Sequence, residues 1–124
     1  MKTKMTMVGS YNLGNEMVRL VLREGSGADL YVQPGDLHYP RFKIGADADT
    51  WGEIVTCLLH EATEFVAMKL WVRYHPSPDI AHDNGAYLFV LTHTQFGETC
   101  GRVGDFPADC LPDLKAAWKK WRKP

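Results

Sequence analysis

Hydrophobic and polar positions alternate from Met17 to Arg23, a stretch rich in Val and Leu, and this period of two predicts a strand. Gly25-Ser26-Gly27 then supplies a turn before Leu30-Tyr31-Val32, which predicts an N-terminal hairpin. Pro34-Gly35 is a second turn signal, and Arg41 to Ile44 reads as a third short strand ending at Gly45. Residues 1–49 are therefore expected to be mainly strands, paired in a small antiparallel sheet.

At Thr50 the period changes. Thr50-Trp51-Gly52-Glu53 has the Ser/Thr-x-x-Glu form in which two side chains satisfy amides left unpaired at a helix start. From Trp51 to about Tyr74 there is no proline, and Ile54, Cys57, Leu58, Phe65, Met68 and Val72 recur at helical spacing until His75-Pro76 stops the run. Leu59, Val66, Leu70 and Trp71 widen the apolar face, so this helix, over 50–75, is expected at the centre of the fold. Asp83 or Asn84 can cap a second helix over 84–100, carrying Tyr87 to Leu91 and Phe96. A strand competes for Ala86 to Thr92, whose composition suits a pleated surface. Gly101 and Gly104 punctuate the end of that segment. A last, basic helix is expected over 111–122, with Pro112 and Asp113 in its first turn. The sum is a single α+β domain spanning 1–124, in which a small antiparallel sheet packs on a long central helix and two further helices.

Composition adds constraints rather than identity. The 124 residues are 45% hydrophobic and 23% charged, the proportions of one globular core. Fourteen Lys and Arg against fifteen Asp and Glu leave a formal charge of -1, so no global field draws the chain to nucleic acid or membrane. No apolar run spans a bilayer and MKTKMTMVGS lacks the apolar stretch of a signal peptide, which predicts a cytosolic protein. Cys57, Cys100 and Cys110 are odd in number and show no C-x-x-C spacing, so reduced structural thiols are expected. There is no G-x-S-x-G, no P-loop and no dinucleotide fingerprint.

The segment with chemical content is His60-Glu61-Ala62-Thr63-Glu64, inside the central helix. Positions i and i+4 project from one helix face about one turn apart, so His60 and Glu64 can grip one ion. In the zinc-hydrolase motif H-E-x-x-H the same spacing presents two imidazoles to the metal, and the intervening glutamate acts as general base. Here a carboxylate replaces the second imidazole. Zinc accepts carboxylate oxygen, and the change shifts preference toward manganese or iron. His93 can supply a third ligand, completing a set of three protein ligands and one open position, with Glu98 or Asp83 as substitutes. Against this stands a plainer account, in which Glu61 and Glu64 belong to the polar stripe of an amphipathic helix, pairing with Lys69, Arg73 or water, and His60 is half-buried. His38, His75 and His82, near prolines or loops, read as ordinary exposed residues, and Cys57, one turn before His60, reads as packing.

The run Leu58-Leu59-His60-Glu61-Ala62-Thr63-Glu64, followed by Thr92-His93-Thr94-Gln95-Phe96, resembles small phage- and prophage-encoded proteins with an H-E-x-x-E helix, similar in outline to the zincin-like metallopeptidases. The likeness covers residues 50 to 100. It implies metal binding by His60, Glu64 and His93, catalysis by Glu61, an acidic loop with Asp79 or Asp83, and hydrolysis of a peptide or amide bond with zinc or another divalent metal. The departure from H-E-x-x-H puts proteolysis in question. The rival function is a non-enzymatic accessory protein that binds a host protein or nucleic acid through its charges.

Partners follow from the same features. A chain of this size has little room for a substrate cleft, which argues for a peptide or protein partner or a homo-oligomer. The tail Lys115 to Lys123 packs five basic residues and two tryptophans into nine positions, a weak nucleic-acid signal. Its plainer account is that Leu114, Trp118 and Trp121 dock on the core while the lysines face water.

Overall fold

In a computed structural model, the structure describes residues 4–31, 40–70, 72–74 and 88–123. The fold is α+β. Strands β1 (Met5–Leu13), β2 (Glu16–Arg23), β3 (Ala28–Tyr31) and β4 (Arg41–Gly45) form one mixed sheet in the order β1-β2-β4-β3. The hairpin is β1–β2, closed at Gly14 and Asn15, whose φ values of 55° and 70° give the left-handed pair that suits the twist of antiparallel strands. The hairpin expected between β2 and the segment at Leu30 does not form. β4 lies between them, parallel to β2 and antiparallel to β3, so the sheet is not wholly antiparallel. Burial explains the order. Val18, Leu20, Leu22, Phe42 and Ile44 are all fully buried, and the strands that carry them take the two central places. β3 exposes Asp29 and Tyr31 and takes an edge. The Pro34-Gly35 turn lies outside the described residues.

Helix α1 (Trp51–Lys69) starts where its cap predicts, with the Thr50 hydroxyl accepting from the Glu53 amide at 3.2 Å. It ends five residues before the expected stop near Tyr74. The Leu70 amide closes the last turn onto Val66, and the Val72 amide bonds the Ala67 carbonyl. Val72 is buried, and β5 (Arg73–Tyr74) then pairs antiparallel with β6 (Leu88–Phe89). The strand alternative for Ala86 to Thr92 is thus met at Leu88–Phe89, and the helix expected over 84–100 is shortened from its front.

The two further helices are one. Helix α2 (His93–Arg122) runs through Gly101, Gly104, Pro107 and Pro112. Its start is fixed at Thr92, whose hydroxyl accepts from the Gln95 amide while the Gln95 side chain accepts from the Thr92 amide. Asp83 and Asn84, the expected caps, lie outside the described residues. Each proline removes one amide donor, a local cost that favours a break. Thr99, Val103, Phe106, Cys110, Leu114 and Trp118 form a single buried stripe, and continuous packing of that stripe outweighs it. Both prolines sit off the stripe.

Both helices cover the same face of the sheet, α2 along β1 and α1 along β3 and β4. Phe42 sits at the junction, edge-on to Phe65 of α1 at 5.7 Å and to Phe106 of α2 at 5.8 Å between ring centroids. The buried Trp118 indole donates to the Ala46 carbonyl at 3.1 Å, tying the end of α2 to the strand that leads into α1. Leu114 and Trp118 are buried, and Trp121 packs at the core's edge, so the tail's aromatic residues are used inside. Among the described residues no helix is long and apolar enough to cross a membrane.

Candidate metal centre

The residues of the motif lie in the second half of α1, whose buried side, Leu58, Ala62, Phe65 and Val66, faces the sheet. That side fixes the rotation of the helix. His60 therefore points to water, with 68% of its side chain exposed, while Glu64 stands at the flank with 19% exposed. Their facing atoms, His60 Nε2 and Glu64 Oε2, are 3.2 Å apart, as the i, i+4 spacing predicts. One oxygen of Glu61 completes a group of three whose ligand atoms all lie within 4.8 Å of one another. Residues one apart on a helix do not ordinarily face each other, so long side chains converge here from two faces.

The donors fit a divalent ion in kind, one imidazole nitrogen and two carboxylates. They also fit in spacing. Two ligands about 2.1 Å from a tetrahedral zinc are separated by roughly 3.4 Å, close to the observed gap. Burial raises the proton affinity of Glu61 above the usual carboxylate range, and the negative charge of Glu64 adds to it. His60 opposes the shift, and Asp29 on β3 contributes to it. A cation among these groups would relieve the repulsion. The involvement of Asp29 had no signal in the sequence, because β3 meets α1 only through the tertiary fold.

His93 is the first residue of α2 and is exposed, and it is not a member of this group. Glu98 pairs with Arg102 at 2.8 Å along α2. Asp79 and Asp83 lie outside the described residues, as do His38, His75 and His82. Lys69, the expected partner of the helix carboxylates, bonds Glu16 on β2 instead, at 3.2 Å. Cys57 is half-buried and free, in keeping with packing. A pocket of about 180 Å³ opens beside the β1–β2 turn, between Leu13, Phe65, Val66, Lys69 and Arg102. It contains none of the three motif residues.

No family model, curated protein or solved structure matches the chain.

Proposed function

We propose that this is a divalent-metal-binding protein, with His60 and Glu64 as ligands to a zinc-class ion, and that the site serves hydrolysis with Glu61 as the base. The observation that carries the reading is the 3.2 Å separation of His60 Nε2 and Glu64 Oε2 with a third donor from Glu61 beside them. A bound ion of this class supplies Lewis acidity, polarising a carbonyl and acidifying water. Glu61 takes a proton at its carboxylate and returns it to the leaving group, a role suited to a carboxyl whose proton affinity burial raises. The peptide or amide substrate rests on the likeness to phage- and prophage-encoded zincin-like proteins, through this motif alone.

In the hydrolytic form of the reading His93 is the third protein ligand, which leaves Glu61 unligated as a base. In its non-catalytic form Glu61 is the third donor. Elemental analysis of the full chain, purified without a histidine tag, tests the site. Near-stoichiometric zinc, manganese or iron that is lost in His60→Ala supports it, and absence of metal after reconstitution removes it. Loss of metal in His93→Ala selects the hydrolytic form, and retention selects the other.

One observation favours a second reading. His60 is exposed and the group is not part of the pocket beside the β1–β2 turn, an arrangement that also suits recognition charges on a binding protein. Under that reading Glu61→Gln alters partner binding and leaves no turnover to lose.

A further inference from the structure

Helix α2 buries one stripe, from Thr99 to Trp118, and exposes the side opposite to it. In its second half Ala108, Pro112 and Ala116 recur every four residues along that outer side, and all three are exposed. The charged residues around this seam, Asp105, Asp109, Lys115, Lys119 and Lys120, are exposed as well. Asp105, Asp109, Lys119 and Lys120 form no ion pair among the described residues. Lys115 rests its ammonium 5.7 Å from the centroid of the Trp51 ring and has no carboxylate partner there.

The sign of charge along this side changes once. Between Arg102 and Lys115 the helix carries Asp105, Asp109 and Asp113 and no cation, and beyond Asp113 it carries Lys115, Lys119, Lys120, Arg122 and Lys123 and no anion. Asp113 is engaged by the Tyr11 hydroxyl at 2.7 Å, which leaves Asp105 and Asp109 as the free acids. Within one chain this order is unfavourable, because Asp105 with Asp109 and Lys115 with Lys119 are like charges at i, i+4. The helix dipole favours cations in the last turn only, so it accounts for Arg122 and Lys123 but not for Lys115 or the acids.

A second copy of the helix removes the conflict. Laid antiparallel with Pro112 on a two-fold axis, it places each residue opposite the one equally far beyond the axis. Asp105 then faces Lys119 of the second copy, Asp109 faces its Lys115, and Ala108 faces its Ala116. The two-fold repeats each pair, as in any isologous contact. Alanine and proline keep the seam narrow, so the axes can approach to about 8–10 Å while the lysine stems reach across it. A parallel copy would set acid against acid and base against base. Charge therefore selects both the occupant and its orientation. An interface of about 800 Å² a side takes about 20–30 residues, and the outer side of α2 from Gly101 to Lys123 offers roughly half that number. The contact belongs to the weak class, with a dissociation constant on the order of 10–100 μM.

We propose that the protein self-associates as a weak two-fold dimer through the outer face of α2, with Asp105 and Asp109 of each copy paired to Lys119 and Lys115 of the other. The proposal is independent of the metal site.

The test is sedimentation equilibrium of the full chain from about 5 to about 500 μM in low salt. The average mass should climb from that of the monomer toward twice that value. Salt at about 0.5 M should weaken the dimer at least about tenfold, because the pairs are solvent-exposed. Asp105→Lys with Asp109→Lys makes the seam wholly basic, and Lys115→Asp with Lys119→Asp makes it wholly acidic, so each variant alone stays monomeric. Mixed in equal amounts they should form a dimer again, since every pair once more joins opposite charges. Thermal melts check that each variant folds. The single changes Asp105→Lys and Lys119→Asp, which leave Lys115 on Trp51, give the same pattern at smaller amplitude. A wild-type protein that stays monomeric at about 500 μM overturns the proposal. So does a mixture that fails to associate, or a dimer that survives either charge reversal, which would place the contact elsewhere, as on the exposed Leu88 to Leu91.

Discussion

Replacing His60 by alanine separates an ion-binding helix from one that is merely polar. Without metal, the side chain forms one exposed i, i+4 pair with Glu64 at 3.2 Å, and such pairs contribute about 0.3–0.5 kcal/mol. An unfolding entropy of about 2.1 cal/mol/K per residue gives about 0.26 kcal/mol/K for 124 residues. The substitution should therefore lower the melting temperature of the metal-free protein by no more than about 2 °C. Zinc changes the comparison. A ligand at about one hundred times its dissociation constant stabilises the folded state by about 2.7 kcal/mol, which raises the wild-type melting temperature by about 10 °C. His60→Ala should lose most of that rise. Differential scanning calorimetry of both proteins, stripped with chelator and then titrated with zinc, measures each term. A wild-type melting temperature that does not respond to zinc, or one that rises equally in the variant, refutes the assignment of His60 as a ligand.

Two further outcomes concern the scaffold. A Cβ at Gly45 would fall 2.5 Å from the Gly25 carbonyl oxygen and from the Ser26 carbonyl carbon, both backbone atoms of the loop that folds over β4. That loop is held by the Gly45 amide on the Gly27 carbonyl and by Asp47 on the Gly25 amide. Gly45→Ala should cost about 1–3 kcal/mol, visible as a lower urea midpoint, and a loss under about 0.5 kcal/mol would contradict the packing. At alkaline pH, burial pushes the Cys110 thiol up to about 12 from its usual 9.0. Burial, reinforced by donation to Asp113 at 2.7 Å, likewise raises the Tyr11 hydroxyl above its ordinary range. Both folded-state values are raised, so their stabilisation is complete below the unfolded values and is lost as pH climbs from 9 toward 12. Cys110 alone should account for about 1.4 kcal/mol lost by pH 10. Equal urea midpoints at pH 8 and pH 10, or the same fall in Cys110→Ala, would count against it.

Features decided within a few residues were legible along the chain. The alternation of Val18, Leu20 and Leu22 marked β2, and Thr50 with its Glu53 amide marked the start of α1, because a strand face and a helix cap are decided within a few residues. The i, i+4 spacing likewise brought His60 and Glu64 together before any tertiary contact was known. A cap signal at Thr92 and Gln95 was also present, and marks the true start of α2. Tertiary structure decided what depends on distant partners. Arg41 to Gly45 pairs with β2 rather than only with β3 because Phe42 and Ile44 must be buried against both helices, and a local turn signal at Gly25-Ser26-Gly27 carries no information about which strand arrives later. Gly101, Gly104 and Pro112 read as a helix boundary until the stripe from Thr99 to Trp118 is seen to pack along its whole length. The end of α1 belongs to the pairing of β5 with β6, and the neighbourhood of Glu61 includes Asp29 because the sheet edge lies beside α1. Pairing register also gathered Arg19, Arg41, Lys43 and Tyr31 onto one face from three strands, a cluster invisible along the chain because its members are neighbours only across hydrogen-bonded strands.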